Sequence, residues 1–170
     1  MKILFLGPMD KSQKRIIQHL EDSGSQVVVN QSAISHEMFD VKDSDYLISY
    51  GYRFIISSEV LEIFDNRAIN LHISFLPWNR GADPNLWSIL EDSPKGISVH
   101  QIDEGIDTGD IIYQKKVKLD LEGTLRESYN KLQKNMESSF IKIWPKITDG
   151  SIGAFKQVDG GSYHKSKDKE

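Results

Sequence analysis

Cysteine is absent from the 170 residues, which excludes a disulfide framework and any thiolate-ligated metal site. Positive charge is also short. Lys and Arg number 21 against 25 Asp and Glu, a net charge of −4, and no basic block interrupts the body of the chain. A nucleic-acid partner, which favours a basic surface, is therefore not expected. No apolar run approaches the roughly 20 residues of a membrane-spanning helix, so no membrane partner is expected either. The stretch MKILFLGPMD breaks at Gly7-Pro8 and has no cleavage-like site. It reads as a first strand and not a signal peptide, with the cytoplasm as the expected location. Internal repeats and domain linkers are missing, and the length predicts one domain over 1–170.

What remains is an ordinary soluble balance, 38% hydrophobic and 27% charged. Strands are predicted at Lys2–Leu6, Gln26–Val29, Asp45–Ser49 and Ala68–Phe75, with a helix between each pair: 12–23, a short one in 35–42, and one capped by Ser57 or Ser58. Pro84 suits the first turn of a helix holding Leu86, Trp87, Ile89 and Leu90. Two further strands, 96–102 and 110–117, are joined too tightly for a parallel crossover. Apolar residues from Leu125 to Trp144 at spacings of three and four mark a long amphipathic helix over 124–147. The pattern is α/β: a mixed, mostly parallel sheet covered by helices on both faces.

One strand is unusual. In NLHISFLPWNR (70–80), apolar Leu71, Ile73 and Phe75 alternate with Asn70, His72 and Ser74, so an amide, an imidazole and a hydroxyl share one face. Ligands of open α/β sheets bind beyond the carboxyl ends of strands, and Pro77 places such an end here. An imidazole can take a proton, an amide can donate to a developing oxyanion, and a carboxylate can orient the imidazole. Asp107, in the Gly-bounded loop EGIDTGD, is a candidate carboxylate. Together these groups suit acyl transfer to an amine. On spacing alone, N-x-H also fits a satisfied polar pair, and DTGD fits an Asx turn. The spacing does not resemble a compact metal site.

NLHISFLPWNRGADPNLWSIL followed by GISVHQIDEGIDTGDIIYQ resembles the formyltransferase domain. It is shared by methionyl-tRNA formyltransferase, glycinamide ribonucleotide formyltransferase and the sugar N-formyltransferases. The resemblance is good over 46–117 and looser over the first strand. It implies a Rossmann-like fold in a compact version, with 10-formyltetrahydrofolate as formyl donor and no metal. It maps the catalytic set onto Asn70, His72 and Asp107. The pterin is expected on two loops: Tyr52, Arg53, Phe54 and Ile55 in one, Asp103, Gly105 and Ile106 in the other. Ser74, Trp78, Asn79, Arg80 and Lys11 are the residues expected to meet the acceptor, Arg80 either by positioning it or by tying its own loop down.

LPWNRGADPNLWS and GGSYHKSKDKE are closest to the sugar enzymes, which formylate an amino sugar carried on a nucleotide diphosphate. Residues 160–170 are read either as a flexible solvated tail or as a segment placing Tyr163, His164 and Lys165 near the acceptor. The stretch between Gly24 and the third strand is shorter than the family's, which implies a smaller acceptor pocket or one completed by a second subunit in a homodimer. A phosphoribosylglycinamide-type or methionyl-tRNA-type transferase is an alternative. So are a formyltetrahydrofolate hydrolase and a non-catalytic folate- or nucleotide-binding module. Methionyl-tRNA enzymes normally carry a further C-terminal domain and the hydrolases an N-terminal one, and neither is expected in this chain.

Overall fold

The structure, a computed structural model, describes residues 1–120 and 122–169. Its main sheet has six strands in the order β2-β1-β3-β4-β6-β7. In chain order they are β1 (Lys2–Leu6), β2 (Gln26–Asn30), β3 (Tyr46–Ser49), β4 (Ala68–His72), β6 (Gly96–Gln101) and β7 (Ile111–Lys116). The first four run parallel, while β6 is antiparallel to β4, and β7 to β6. The short strands β5 (Arg80–Gly81) and β8 (Tyr163–His164) form a separate parallel pair. The helices are α1 (Lys11–Asp22), α2 (Phe39–Lys42), α3 (Ser58–Phe64), α4 (Pro84–Leu90) and α5 (Leu125–Thr148). None of the described helices is long and apolar enough to cross a membrane.

Strand alternation divides the core into two layers. Ile3, Phe5, Ile48, Ile69, Leu71, Ile97 and Val99 point to one face of the sheet, against Ile16 and Leu20 of α1 and Leu132, Met136 and Phe140 of α5. Leu4, Leu6, Leu47 and Ala68 point to the other, against Val41 of α2 and Val60, Leu61 and Phe64 of α3. Helices on both faces and the tight antiparallel β6–β7 connection are as the sequence pattern predicts. α5 begins with a capping box: Thr124 Oγ1 accepts from the Glu127 amide (3.2 Å), and Glu127 Oε2 accepts from the Thr124 amide (2.7 Å).

β4 is shorter than the predicted 68–75 and stops at His72. The next residues are drawn into a turn. Trp78 N–H donates to Phe75 O (3.1 Å), Ser74 Oγ donates to Trp78 O (2.8 Å), and Gln114 Nε2 donates to Leu76 O (2.7 Å). Pro77 has no N–H to extend a ladder. This turn sends Asn79–Gly81 back over the face that carries Asn70 and His72.

Ser162–His164 are not a solvated tail. Ser162 N–H donates to Pro77 O (3.3 Å), Arg80 N–H to Ser162 O (2.9 Å) and Ala82 N–H to His164 O (2.9 Å). The His164 ring stacks on Trp87 of α4, with centroids 4.1 Å apart. Glu170, the last residue of the segment, lies outside the described residues. The close approach requires glycine at 161. There φ is +89, and a Cβ would lie 2.0 Å from Pro77 O.

Gly161→Ala and Gly24→Ala therefore form a matched pair. Gly24 has nearly the same φ, +87, but open space around it. Gly24→Ala should cost only the left-handed conformation, about 1–2 kcal/mol. Gly161→Ala should cost more, because β8 must also move off Pro77. Urea denaturation of both variants checks this, and equal losses would show that the β8 segment contributes little to stability.

Candidate active site

Asn70 and His72 stand two residues apart on β4, so both side chains leave the same face of the sheet. Across the ladder, Asn70 pairs with His100 and His72 with Ser98 of β6. The loop between β6 and β7 folds over this face and brings in Asp107. Its backbone is left-handed (φ 55), a conformation that costs a non-glycine residue about 1–3 kcal/mol and persists only when surroundings enforce it.

The Asp107 carboxylate is the hub. Its Oδ1 accepts from Asn70 Nδ2 (2.9 Å) and lies 3.3 Å from His100 Nε2. Its Oδ2 accepts from the Gly81 amide (2.8 Å) and lies 3.6 Å from His72 Nδ1. Burial works most strongly against its ionisation. The charge of His72 when its ring is protonated, the hydrogen bond and charge of a protonated His100 and the Gly81 amide outweigh that burial and hold the carboxyl well below the usual carboxylate range.

The surroundings also set the proton positions. His72 Nε2 lies 2.9 Å from Asn79 O, and a carbonyl only accepts. Nε2 therefore carries the hydrogen, and in the neutral ring Nδ1 is bare and faces Asp107. His100 Nδ1 lies 2.7 Å from Gln101 O, so its Nε2 is likewise bare in the neutral ring and takes Asn70 Nδ2 at 3.2 Å. Asn70 has only one orientation that avoids placing its oxygen against the carboxylate. Both of its N–H groups are thus engaged, one on Asp107 and one on His100.

His100 was not singled out among the candidate residues. The signal was available: in GISVHQ, Ile97 and Val99 alternate with Ser98 and His100, the same apolar–polar alternation seen in β4. What alternation could not supply was the register that sets His100 opposite Asn70.

The other expected residues divide into three groups. Ser74 (1% exposed) and Asn79 (0%) are enclosed by the protein. The Ser74 hydroxyl is spent inside the turn. The Asn79 side chain accepts from Ser93 Oγ (2.8 Å) and donates to Glu91 and Ser162 (3.4 Å each), while its carbonyl holds His72. Arg80 lies beside the site with its guanidinium on Gln157 (2.8 Å), tying its loop down. Trp78 is exposed on the same turn, and Lys11 is exposed at the first position of α1.

The two loops expected to hold a pterin both flank the second core layer, where Tyr52, Ile56 and Ile102 pack. They leave apolar side chains in solvent: Phe54 is 48% exposed, Ile55 82% and Ile106 45%. Arg53 is exposed beside them. Tyr52 OH donates to Ser32 O (2.8 Å). Asp103 Oδ1 organises its own loop by accepting from the Gly105 amide (3.1 Å) and Thr108 Oγ1 (2.6 Å). Gly105 is required there, since a Cβ would lie 2.0 Å from Thr108 Oγ1.

Residues 2–143 match the family model described as Formyl transferase. Among solved structures, the formyltransferase PseJ from Anoxybacillus kamchatkensis, in complex with UDP-4,6-dideoxy-4-formamido-L-AltNAc and tetrahydrofolate, is 48% identical with a TM-score of 0.93, covering 99% of this chain and 88% of that one. A sugar N-formyltransferase from Shewanella sp FDAARGOS_354 shares the fold, with a TM-score of 0.85 at 21% identity, covering 99% of this chain and 78% of that one. Among curated proteins, the methionyl-tRNA formyltransferase of Finegoldia magna is 35% identical over 113 residues, 64% of this chain and 36% of the relative. The chain spans 36–40% of the length of the first curated relatives it matches.

Asp107→Asn should expose the electrostatics of the hub. A carboxamide presents one oxygen and one NH2 group where the carboxylate presents two oxygens, so it must face a donor with a donor, at Asn70 or at Gly81. The variant should be less stable than the wild type at pH 7. A carboxyl whose native pKa lies below its unfolded value stabilises the fold above the unfolded value, near 4. It loses that contribution as pH falls toward the native value, by up to about 1.4 kcal/mol per pH unit. The gap in unfolding free energy between wild type and variant should therefore be largest above pH 5 and shrink between pH 4 and pH 2. A gap that stays constant over that range would mean Asp107 is not held ionised by the fold.

Proposed function

The chain belongs to the formyl transferase family, and from that premise we propose that it moves a formyl group from 10-formyltetrahydrofolate to the amine of a nucleotide-linked amino sugar. The observation that carries the reading is the convergence of Asn70, His72 and the Gly81 amide on the enclosed Asp107 carboxylate. The 48% identity to PseJ over nearly the whole chain supports the sugar acceptor in preference to methionyl-tRNA, since the methionyl-tRNA relatives are matched over a smaller part of their length.

The residues present fit a folate. Phe54, Ile55 and Ile106 offer apolar cover that the protein itself leaves in solvent, beside loops whose backbone groups can bond a flat polar ring. The backbone of 52–56 and 103–107 would hold it there. When bound, it would supply the activated formyl carbonyl. The chain's own groups then divide the work. Asn70 Nδ2 is the donor for negative charge developing on an acyl oxygen, a contribution of about 3–4 kcal/mol in comparable sites. To serve, it must release one of its two present partners, and the longer contact, to His100 at 3.2 Å, is the weaker one. His72 Nδ1 is the atom that takes the proton lost by the amine. Its Nε2–H stays on Asn79 O, so the ring cannot rotate away. The imidazolium so formed faces Asp107 Oδ2 at 3.6 Å, a charge already in place before the proton arrives.

Separate incubations with 10-formyltetrahydrofolate and either a panel of UDP- and dTDP-linked amino sugars or methionyl-tRNA, read by mass spectrometry, test the reading. A gain of one formyl group on a sugar amine is the expected result. Formylation of methionyl-tRNA alone would move the chain to the alternative acceptor, free formate alone would make it a hydrolase, and no turnover would make it a binding module. On the productive amine, His72→Ala should lower kcat by about 100-fold or more, since positioned proton transfer typically contributes 10²–10⁴. Retention of most activity would remove His72 from the proton-transfer role.

A further inference from the structure

Asp107 keeps a left-handed backbone while its carboxylate spans four partners, and nothing inside its own loop fastens the carbonyls on either side of Thr108. That fastening comes from the C-terminal segment. Gln157 Nε2 donates to Asp107 O (2.8 Å) and to Gly109 O (2.9 Å), using both hydrogens of the amide. Its Oε1 accepts from Arg80 Nη2 (2.8 Å) and Nε (3.3 Å). The neighbours Lys156 and Val158 are exposed, so packing does not place this side chain. A backbone bridge two residues earlier does: Ile111 N–H donates to Phe155 O (2.7 Å), and Phe155 N–H to Ile111 O (2.9 Å).

The connection closes a ring. Arg80 starts β5, and the next residue, Gly81, gives its amide to Asp107 Oδ2. One strand thus holds the carboxylate directly and the Asp107 backbone through Gln157. The chemistry requires a carboxamide of this length. Two carbonyls need two hydrogens on one atom, and a guanidinium on the other side needs an acceptor. Glutamate supplies only acceptors and would set oxygen against the two carbonyls. Gln157 also lies beyond residues 2–143, the part matched by the family model.

We propose that Gln157 is a positioning residue of this site, fixing the Asp107 backbone and thereby the reach of its carboxylate to His72 and His100. The catalytic consequence rests on the formyl-transfer reading above, whereas the geometric claim does not.

The test uses Gln157→Glu, which keeps the Arg80 partner and loses both donors, and Gln157→Met, which keeps the length and loses all polar contacts. The first readout is the backbone amide of Gly81 in 15N-labelled protein, because that proton reports the carboxylate directly. In both variants it should move toward its position in Asp107→Ala, with amides of β1 and β3 unchanged. The second is kinetic. A misplacement on the order of 1 Å can cost about 100-fold, so kcat should fall about 10- to 100-fold while KM for the formyl donor changes less than about twofold. Added to Asp107→Ala, the Gln157 substitutions should cost nothing further. An unmoved Gly81 amide would overturn the proposal. So would a kcat loss that adds in full to that of Asp107→Ala, or variants that shift amides throughout the sheet. If the wild type formylates no amine, the functional reading fails, and the Gly81 amide still decides the role of Gln157.

Discussion

A carboxylate enclosed by protein must find partners for both oxygens, and Asp107 finds them on β4, β5 and β6 at once. Asn70 and His72 on β4, Gly81 on β5 and His100 on β6 precede Asp107 by 7 to 37 residues, and each places an atom within 3.6 Å of it. Burial penalises this charge more than any single partner favours it, so several partners acting together hold it ionised. The antiparallel turn of β6, the early stop of β4 and the docking of β8 all serve to gather those partners. β6 brings His100, the end of β4 lets Asn79–Gly81 fold back, and β8 pins the returning strand.

The backbone carbonyls matter as much as the side chains. Asn79 O and Gln101 O each take the hydrogen of one imidazole and turn its other nitrogen toward the carboxylate. In their neutral forms the two histidines thus face one charge through bare nitrogens, with their rings 6.4 Å apart and nearly perpendicular. Such an arrangement is poised to accept a proton beside a charge that is already present. Pre-set charge of this kind removes the need for reorganisation at the moment a proton moves. The same logic explains why Asn79 is fully buried: a carbonyl that sets a tautomer must not wander, and three side-chain hydrogen bonds hold it.

Residues 155–164 run beside the site with few buried apolar side chains and hold it by polar bonds. Phe155 pairs with Ile111, Gln157 grips the Asp107 loop, Ser162 supports Asn79 and Arg80, and His164 stacks on Trp87. The left-handed residues Asn79 and Asp107 are both anchored to this segment, Asn79 through Ser162 and Asp107 through Gln157.

Much of this was legible in the chain. The period of two in β4 put Asn70 and His72 on one face and Leu71 in the core on the other, since a pleated strand allows no other division. The short link between β6 and β7 forced them antiparallel, and the apolar spacing of α5 gave its place and its buried face. The N-x-H and DTGD motifs together pointed to the candidate site and to the family. What sequence could not supply was everything that depends on register and on close approach between distant segments. His100 joins the site only because it pairs with Asn70 across the ladder. Ser74 and Asn79, polar and beside the motif, turned inward because the turn after His72 needed their hydrogen bonds. Residues 162–164, polar and glycine-flanked, carried no periodic signal, and their order comes from backbone hydrogen bonds to β5 that no local pattern encodes. Local alternation determines which face a side chain takes. Only the packed chain decides which partners are waiting there, because those partners come from strands tens of residues away.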